Sequence, residues 1–274
     1  MKTLPFKQVD VFTAKPFLGN PVAVVIGAEG LSGDQMQRIA SWTNLSETTF
    51  LLPPTVPGAS YRLRIFTPRQ ELPFAGHPTI GSAHAALESG FARAADGLLR
   101  QECGAGVLEL AVEDGRIFVK APQPKLREVA TPAFKGKVLR VDVGPVWVVA
   151  DLGDADAVDG LQPDMAQIAA MSAALDATGA TVFGRTGKRD APIHVRSFAP
   201  AHGIPEDPVC GSGNISVAAY LRETGLLREF GPAYTARQGM QVGRDGKVEV
   251  RVSADAIRIG GNAVTCVEGT LRVD

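Results

Sequence analysis

Short apolar runs broken by turn residues dominate the first half of the chain. Val9–Phe12 and Val22–Val25 are β-rich and are separated by Pro16, Gly19, Asn20 and Pro21. Leu31-Ser32-Gly33-Asp34 then opens a helix with Met36, Ile39 and Ala40 on one face, ending near Asn44. Thr48–Leu52 reads as a strand. Tyr61–Thr67 sets Tyr61, Leu63 and Ile65 against Arg62 and Arg64, which predicts a strand with one wet face. After the turn Ala75-Gly76-His77-Pro78, small residues through Ala83, Ala86 and Leu87 predict a helix running to Gly90. Strands at Gly106–Val112 and Arg116–Val119 follow, and the prolines at 122, 124 and 132 mark a linker.

The same order of elements then returns. Val9-Asp10-Val11 answers to Val141-Asp142-Val143, and the helix pattern at Leu31, Asp34 and Gln37 to Leu161, Asp164 and Gln167. Phe66-Thr67-Pro68 answers to Phe198-Ala199-Pro200, Gly76 to Gly211, and Arg100-Gln101 to Arg237-Gln238. Collinear matches at near-constant offset indicate a tandem duplication. The fold expected is α+β: two similar domains, each a curled, mostly antiparallel, barrel-like sheet around one small-residue helix. Residues 1–122 with 262–274 should form the first domain and 123–261 the second, with a ligand cleft between them.

The second central helix is headed by FAPAHGIPEDPVCGSGN, read as an extended lead-in to Pro205, an acidic pair (Glu206, Asp207) and a small-residue turn. Small residues at a helix start leave the first backbone N–H groups uncovered, and these attract an anion. Three polar positions break the duplication. Ser46-Glu47 lies between a helix and a strand with no counterpart in the second half. His77 stands opposite Ser212, and Asp207 opposite Leu72. Plain structural roles exist for each: an exposed carboxylate, a packing histidine, an N-cap aspartate. The apolar flanks of Glu47 (Leu45, Phe50, Leu51, Leu52) instead predict a desolvated carboxylate, basic enough for acid/base work near neutral pH.

Composition narrows the function. The chain of 274 residues is 45% hydrophobic and 21% charged, with a net charge of −1. That is an ordinary soluble composition and gives no sign of nucleic-acid or membrane binding. No signal-peptide or transmembrane run stands out. Three cysteines (Cys103, Cys210, Cys266) and four scattered histidines lack ligand spacing, which argues against a disulfide framework or a metal and fits a reducing cytoplasm. Gly211-x-Gly213 lacks the third glycine of a dinucleotide fingerprint. No cofactor is expected.

VDVFTAKPFLGNPVAVV, NLSETTF, IFTPRQELPFAGHP and FAPAHGIPEDPVCGSGN together resemble the phenazine-biosynthesis PhzF family, over essentially the whole chain. The resemblance implies the diaminopimelate-epimerase fold, a cofactor-free active site in the cleft, a small carboxylate-bearing substrate and commonly a homodimer. It implies that Glu47 is the catalytic glutamate, with His77 and Asp207 the other polar catalytic groups. Ser46, Gly76, Gly211 and Ser212 match positions that touch substrate, and Cys210 sits among them. Members of this kind isomerise trans-2,3-dihydro-3-hydroxyanthranilate by moving a proton. Cys210 departs from the isomerase pattern, which has threonine there. Related epimerases use facing cysteines, but the first-half counterpart here is Ala75. An epimerase pairing Glu47 with Cys210 would rely on a thiol acidified at a helix start. A pure binding protein would need no desolvated base.

Overall fold

The computed structural model describes residues 1–273. The chain divides into two compact units, Met1–Lys120 with the segment from Gly260 onward, and Ala121–Ile259.

The first unit opens with β1 (Lys2–Val11), β2 (Asn20–Ile26), α1 (Gly33–Thr43), β3 (Thr48–Leu52) and β4 (Tyr61–Phe66). It continues with β5 (Glu71–Leu72), α2 (Gly76–Glu88), β6 (Leu98–Cys103), β7 (Gly106–Glu113) and β8 (Arg116–Lys120). β1 pairs antiparallel with β2, β2 parallel with β3, and β3 antiparallel with β4. β4 then takes β5 antiparallel and β6 parallel, and β6, β7 and β8 follow antiparallel. The parallel β2–β3 step needs a crossover, which α1 supplies. Ser32 caps α1 in a reciprocal box with Gln35, and Asn44 ends it in the left-handed region.

The second unit holds β9 (Lys125–Glu128), β10 (Val138–Asp142), β11 (Val146–Asp154), α3 (Ala155–Gly160), α4 (Met165–Ala174) and β12 (Gly179–Arg185). β13 (Ile193–Ala199), β14 (Ile204–Asp207), α5 (Gly211–Thr224), α6 (Leu227–Phe230), β15 (Ala233–Gln238) and β16 (Gly246–Val252) follow. β17 (Ile257–Gly261) and β18 (Ala263–Val273) close the chain. From β10 to β16 the pairings repeat those of β1 to β7: antiparallel, parallel, antiparallel, antiparallel, parallel, antiparallel. The duplication is therefore structural as well as textual.

Each unit wraps its sheet around one helix. α2 is buried from His77 to Ala86 apart from His84, and α5 from Gly213 to Leu221. Such helices lie too close to the sheet for larger residues: a Cβ on Gly81 would lie 2.4 Å from a Val22 methyl, and one on Gly213 2.5 Å from Ser197 Oγ. The outer face of each sheet is covered by the crossover helix. α1 packs Met36 and Ala40 on Phe50 and Phe66, and α4 packs Ile168 and Met171 on Val182 and Phe198.

Three details depart from the sequence expectations. β1 begins at Lys2 rather than Val9, because β18 lies antiparallel along its whole length, from Lys2 opposite Val273 to Val11 opposite Ala263. The proline-marked linker contains a strand, β9, paired with β10. The lead-in to Pro205 is not simply extended, since Pro200–His202 makes a 3-10 turn before β14.

Candidate active site

In the first unit, the turn from α1 into β3 carries Ser46 and Glu47. Glu47 is anchored through its backbone carbonyl, which accepts the Ala23 N–H at 3.3 Å. Its side chain is 14% exposed and that of His77, at the start of α2, is 9% exposed. His77 Nε2 lies 3.3 Å from Glu47 Oε2, and no hydrogen bond among the described residues reaches that buried oxygen. Loss of hydration pushes the Glu47 carboxyl up to about 7, and a hydrogen bond from the Ser46 side chain pulls the other way by less. Two residues 30 apart in sequence thus meet as a desolvated acid/base pair. Gly76 is the first residue of α2, and Ala75 before it offers no side-chain cap.

In the second unit, Asp207 ends β14 and its Oδ1 accepts the Val209 N–H at 3.1 Å. It is therefore not the helix cap. That place belongs to Cys210, whose Sγ accepts the Gly213 N–H at 3.2 Å. The expected uncovered N–H groups are thus partly taken at this helix, whereas α2 keeps its uncapped start. Ser212 accepts a hydrogen bond from the Trp147 indole at 2.9 Å. The acidic pair separates by role: Glu206 grips Arg196 through two bonds of 2.9 Å, with both side chains at least nine-tenths buried.

The expectation of an acidified Cys210 fails. Burial first, and the Asp207 charge second, push its thiol well above the ordinary value; hydrogen bonds from Ser212, Gly213 and Ser197 pull down by less. A helix start lowers a thiol pKa and burial raises it. Here burial outweighs the helix start, and Cys210 stays a neutral thiol. All three cysteines are free.

Two residues that the sequence reading matched only as a repeat now have clear positions. Gln101 and Gln238 are fully buried, and each reaches the fourth residue of its central helix. Gln101 donates to Thr79 Oγ1 at 3.2 Å, and Gln238 accepts from Asn214 Nδ2 at 3.0 Å. Their recurrence at matched positions was the only available signal. Among the described residues, no group of three or more His, Cys, Asp or Glu side chains is arranged to hold a metal ion. No helix among them is long and apolar enough to cross a membrane.

The comparisons with known proteins agree with this architecture. The chain is 41% identical to antisense-enhancing sequence 1 of Schizosaccharomyces pombe, over 96% of this chain and 97% of that one. It is 32% identical to trans-2,3-dihydro-3-hydroxyanthranilate isomerase of Pseudomonas aeruginosa, over 95% and 96%. A crystal structure of the Bacillus anthracis phenazine biosynthesis protein of the PhzF family superposes with a TM-score of 0.88 at 27% identity, covering all of both chains. With residues 9–269 also matching the PhzC-PhzF profile, the chain belongs to the phenazine biosynthesis-like protein family.

Proposed function

We propose that this isomerase shifts a proton within a small carboxylate-bearing metabolite, with Glu47 as the residue that takes the proton and returns it. The observation that carries this is the 3.3 Å approach of His77 to a Glu47 carboxyl raised to about 7. A base poised near the working pH accepts and redelivers a proton with little penalty either way. Glu47 removes a proton from a carbon beside an unsaturated group, and the electron pair spreads over the conjugated system. The protonated carboxyl then delivers the same proton to the far end of that system, so the step balances without a redox partner. His77, 3.3 Å from that carboxyl, orients the substrate and balances the charge that develops on it. The uncapped start of α2 is suited to the substrate carboxylate, and we assign Asp207 to substrate orientation. We further propose a homodimer acting in the cytoplasm, in keeping with free cysteines.

An epimerase would need a second acid/base on the opposite face of the reacting carbon. Its candidate, Cys210, is spent as a helix cap and is held neutral, so a thiolate base there is disfavoured.

The substrate to test first is trans-2,3-dihydro-3-hydroxyanthranilate, on which the Pseudomonas aeruginosa relative is named as acting. Glu47→Gln should lose roughly 10²–10⁴-fold in kcat while still binding ligand. A fully active variant would remove Glu47 from the reaction.

A further inference from the structure

The buried glutamine at the end of β15 sits at a junction. Gln238 Oε1 accepts two hydrogen bonds, from the Cys210 backbone N–H at 3.1 Å and from Asn214 Nδ2 at 3.0 Å. Its Nε2 donates to the Asp207 carbonyl at 2.9 Å. Asn214 Nδ2 spends its other hydrogen on the Cys210 carbonyl at 2.9 Å. The Asp207 carbonyl and the Cys210 N–H are the two groups that would close a four-residue turn on each other. Here a side-chain amide, which presents one donor and one acceptor as a peptide does, stands between them. It fixes the spacing of Asp207 from the first turn of α5. Pro208, inside that link, brings no N–H of its own.

The first unit has the same glutamine with a smaller task. Gln101 holds Thr79 and accepts the Tyr61 hydroxyl at 2.8 Å. Leu72 stands where Asp207 does, so no catalytic carboxylate needs placing there. The second copy adds a grip on just the link that carries a polar active-site group. A buried amide loses its compensation if either hydrogen-bonding end is removed, so the device has no slack.

Resting on the isomerase function above, we propose that Gln238 is a positioning residue that sets where Asp207 and the α5 turn stand toward the substrate. Gln238→Glu keeps the shape and both accepted bonds but replaces the amide donor to the Asp207 carbonyl with a carboxyl that donates only while protonated. Gln238→Leu removes all three. The readouts are kcat and KM separately, the melting temperature, hydrogen exchange of the Cys210 amide, and iodoacetamide alkylation of Cys210 in the intact enzyme. Gln238→Glu should stay folded with a lower melting temperature and lower kcat about 10-fold at a pH where its carboxyl is ionised. Gln238→Leu should speed both Cys210 amide exchange and alkylation at least 10-fold. Gln101→Leu should leave Cys210 alkylation unchanged. Exchange and alkylation need no substrate, so they test the positioning even if the enzyme acts on a different metabolite. Unchanged kcat in folded Gln238→Glu across the pH range in which its carboxyl ionises would overturn the proposal, as would unchanged Cys210 exchange and alkylation in Gln238→Leu. If Gln238→Leu does not fold, Gln238→Glu decides alone.

Discussion

Under the proposed mechanism, the Glu47 carboxyl couples stability to activity through one titration. Its folded-state pKa of about 7 lies above the ordinary 4.5. Between those values the folded protein holds a proton that the unfolded chain has released, so stability falls as pH rises through this window. The whole effect is at most about 3 kcal/mol, less any screening that reaches its exposed edge. Glu47→Gln removes the titration. Its denaturation midpoint should match the parent near about pH 4 and exceed it near about pH 8, as chemical denaturation at the two pH values will show. In the parent, kcat/KM should fall as pH drops through about 7, because the base must be ionised to accept a proton. Burial favours the neutral form of Cys210 as well, and a thiol held neutral in this way should alkylate slowly at neutral pH. Cys210→Thr keeps a capping oxygen and should stay active. Cys210→Ala leaves the Gly213 N–H uncapped and should lose about 1 kcal/mol in thermal denaturation.

At the scale of elements, the strand that delivers Asp207 is held by its neighbour's charge. Arg196, on β13, spends its remaining Nη1 hydrogens on the Val158 and Leu161 carbonyls at 3.0 and 2.8 Å. It thereby ties α3 to the Glu206 side of β14. Removing one partner of so buried a pair strands the other, so Glu206→Ala should destabilise the protein by about 3–5 kcal/mol in urea titration. Any remaining folded enzyme should keep much of its activity. Where local sequence signals were strong, these elements were legible: the Leu31–Asp34 opening with the apolar face of Met36, Ile39 and Ala40 gave α1, and Thr48–Leu52 gave β3 without error. β9 was hidden because Lys125-Leu126-Arg127-Glu128 is a charged, mostly exposed edge strand between prolines that shows no alternation. β1 was cut short because its first half owes its strand conformation to β18, far away in sequence. The desolvation of Glu47 was legible from its apolar flanks. The state of Cys210 was not, because a helix start and a buried pocket push a thiol in opposite directions and only the structure shows which is larger.

On the scale of the whole molecule, the duplication carries an exchange that decides what can fold alone. β10 has β9 on its outer edge, supplied by the stretch just before it. β1 has β18 in the equivalent place, supplied by the far end of the chain. Lys7, only 5% exposed on β1, seals that pairing through ion pairs to Glu268 on β18 at 3.1 Å and to Glu88 on α2 at 2.8 Å. Thr265 on β18 also donates to Glu88, at 2.6 Å. Without β18, β1 would present a long unpaired edge and a buried lysine stripped of one partner, and both are strong liabilities. A fragment of residues 121–261 should therefore give a cooperative melt and dispersed amide resonances on its own. A fragment of residues 1–120 should aggregate or stay unfolded. Joining residues 262–274 ahead of Lys2 through a linker long enough to turn an antiparallel hairpin should rescue it, because β18 already runs beside β1 in that sense. If residues 1–120 fold without that strand, β18 is a cover rather than a required part of the first sheet.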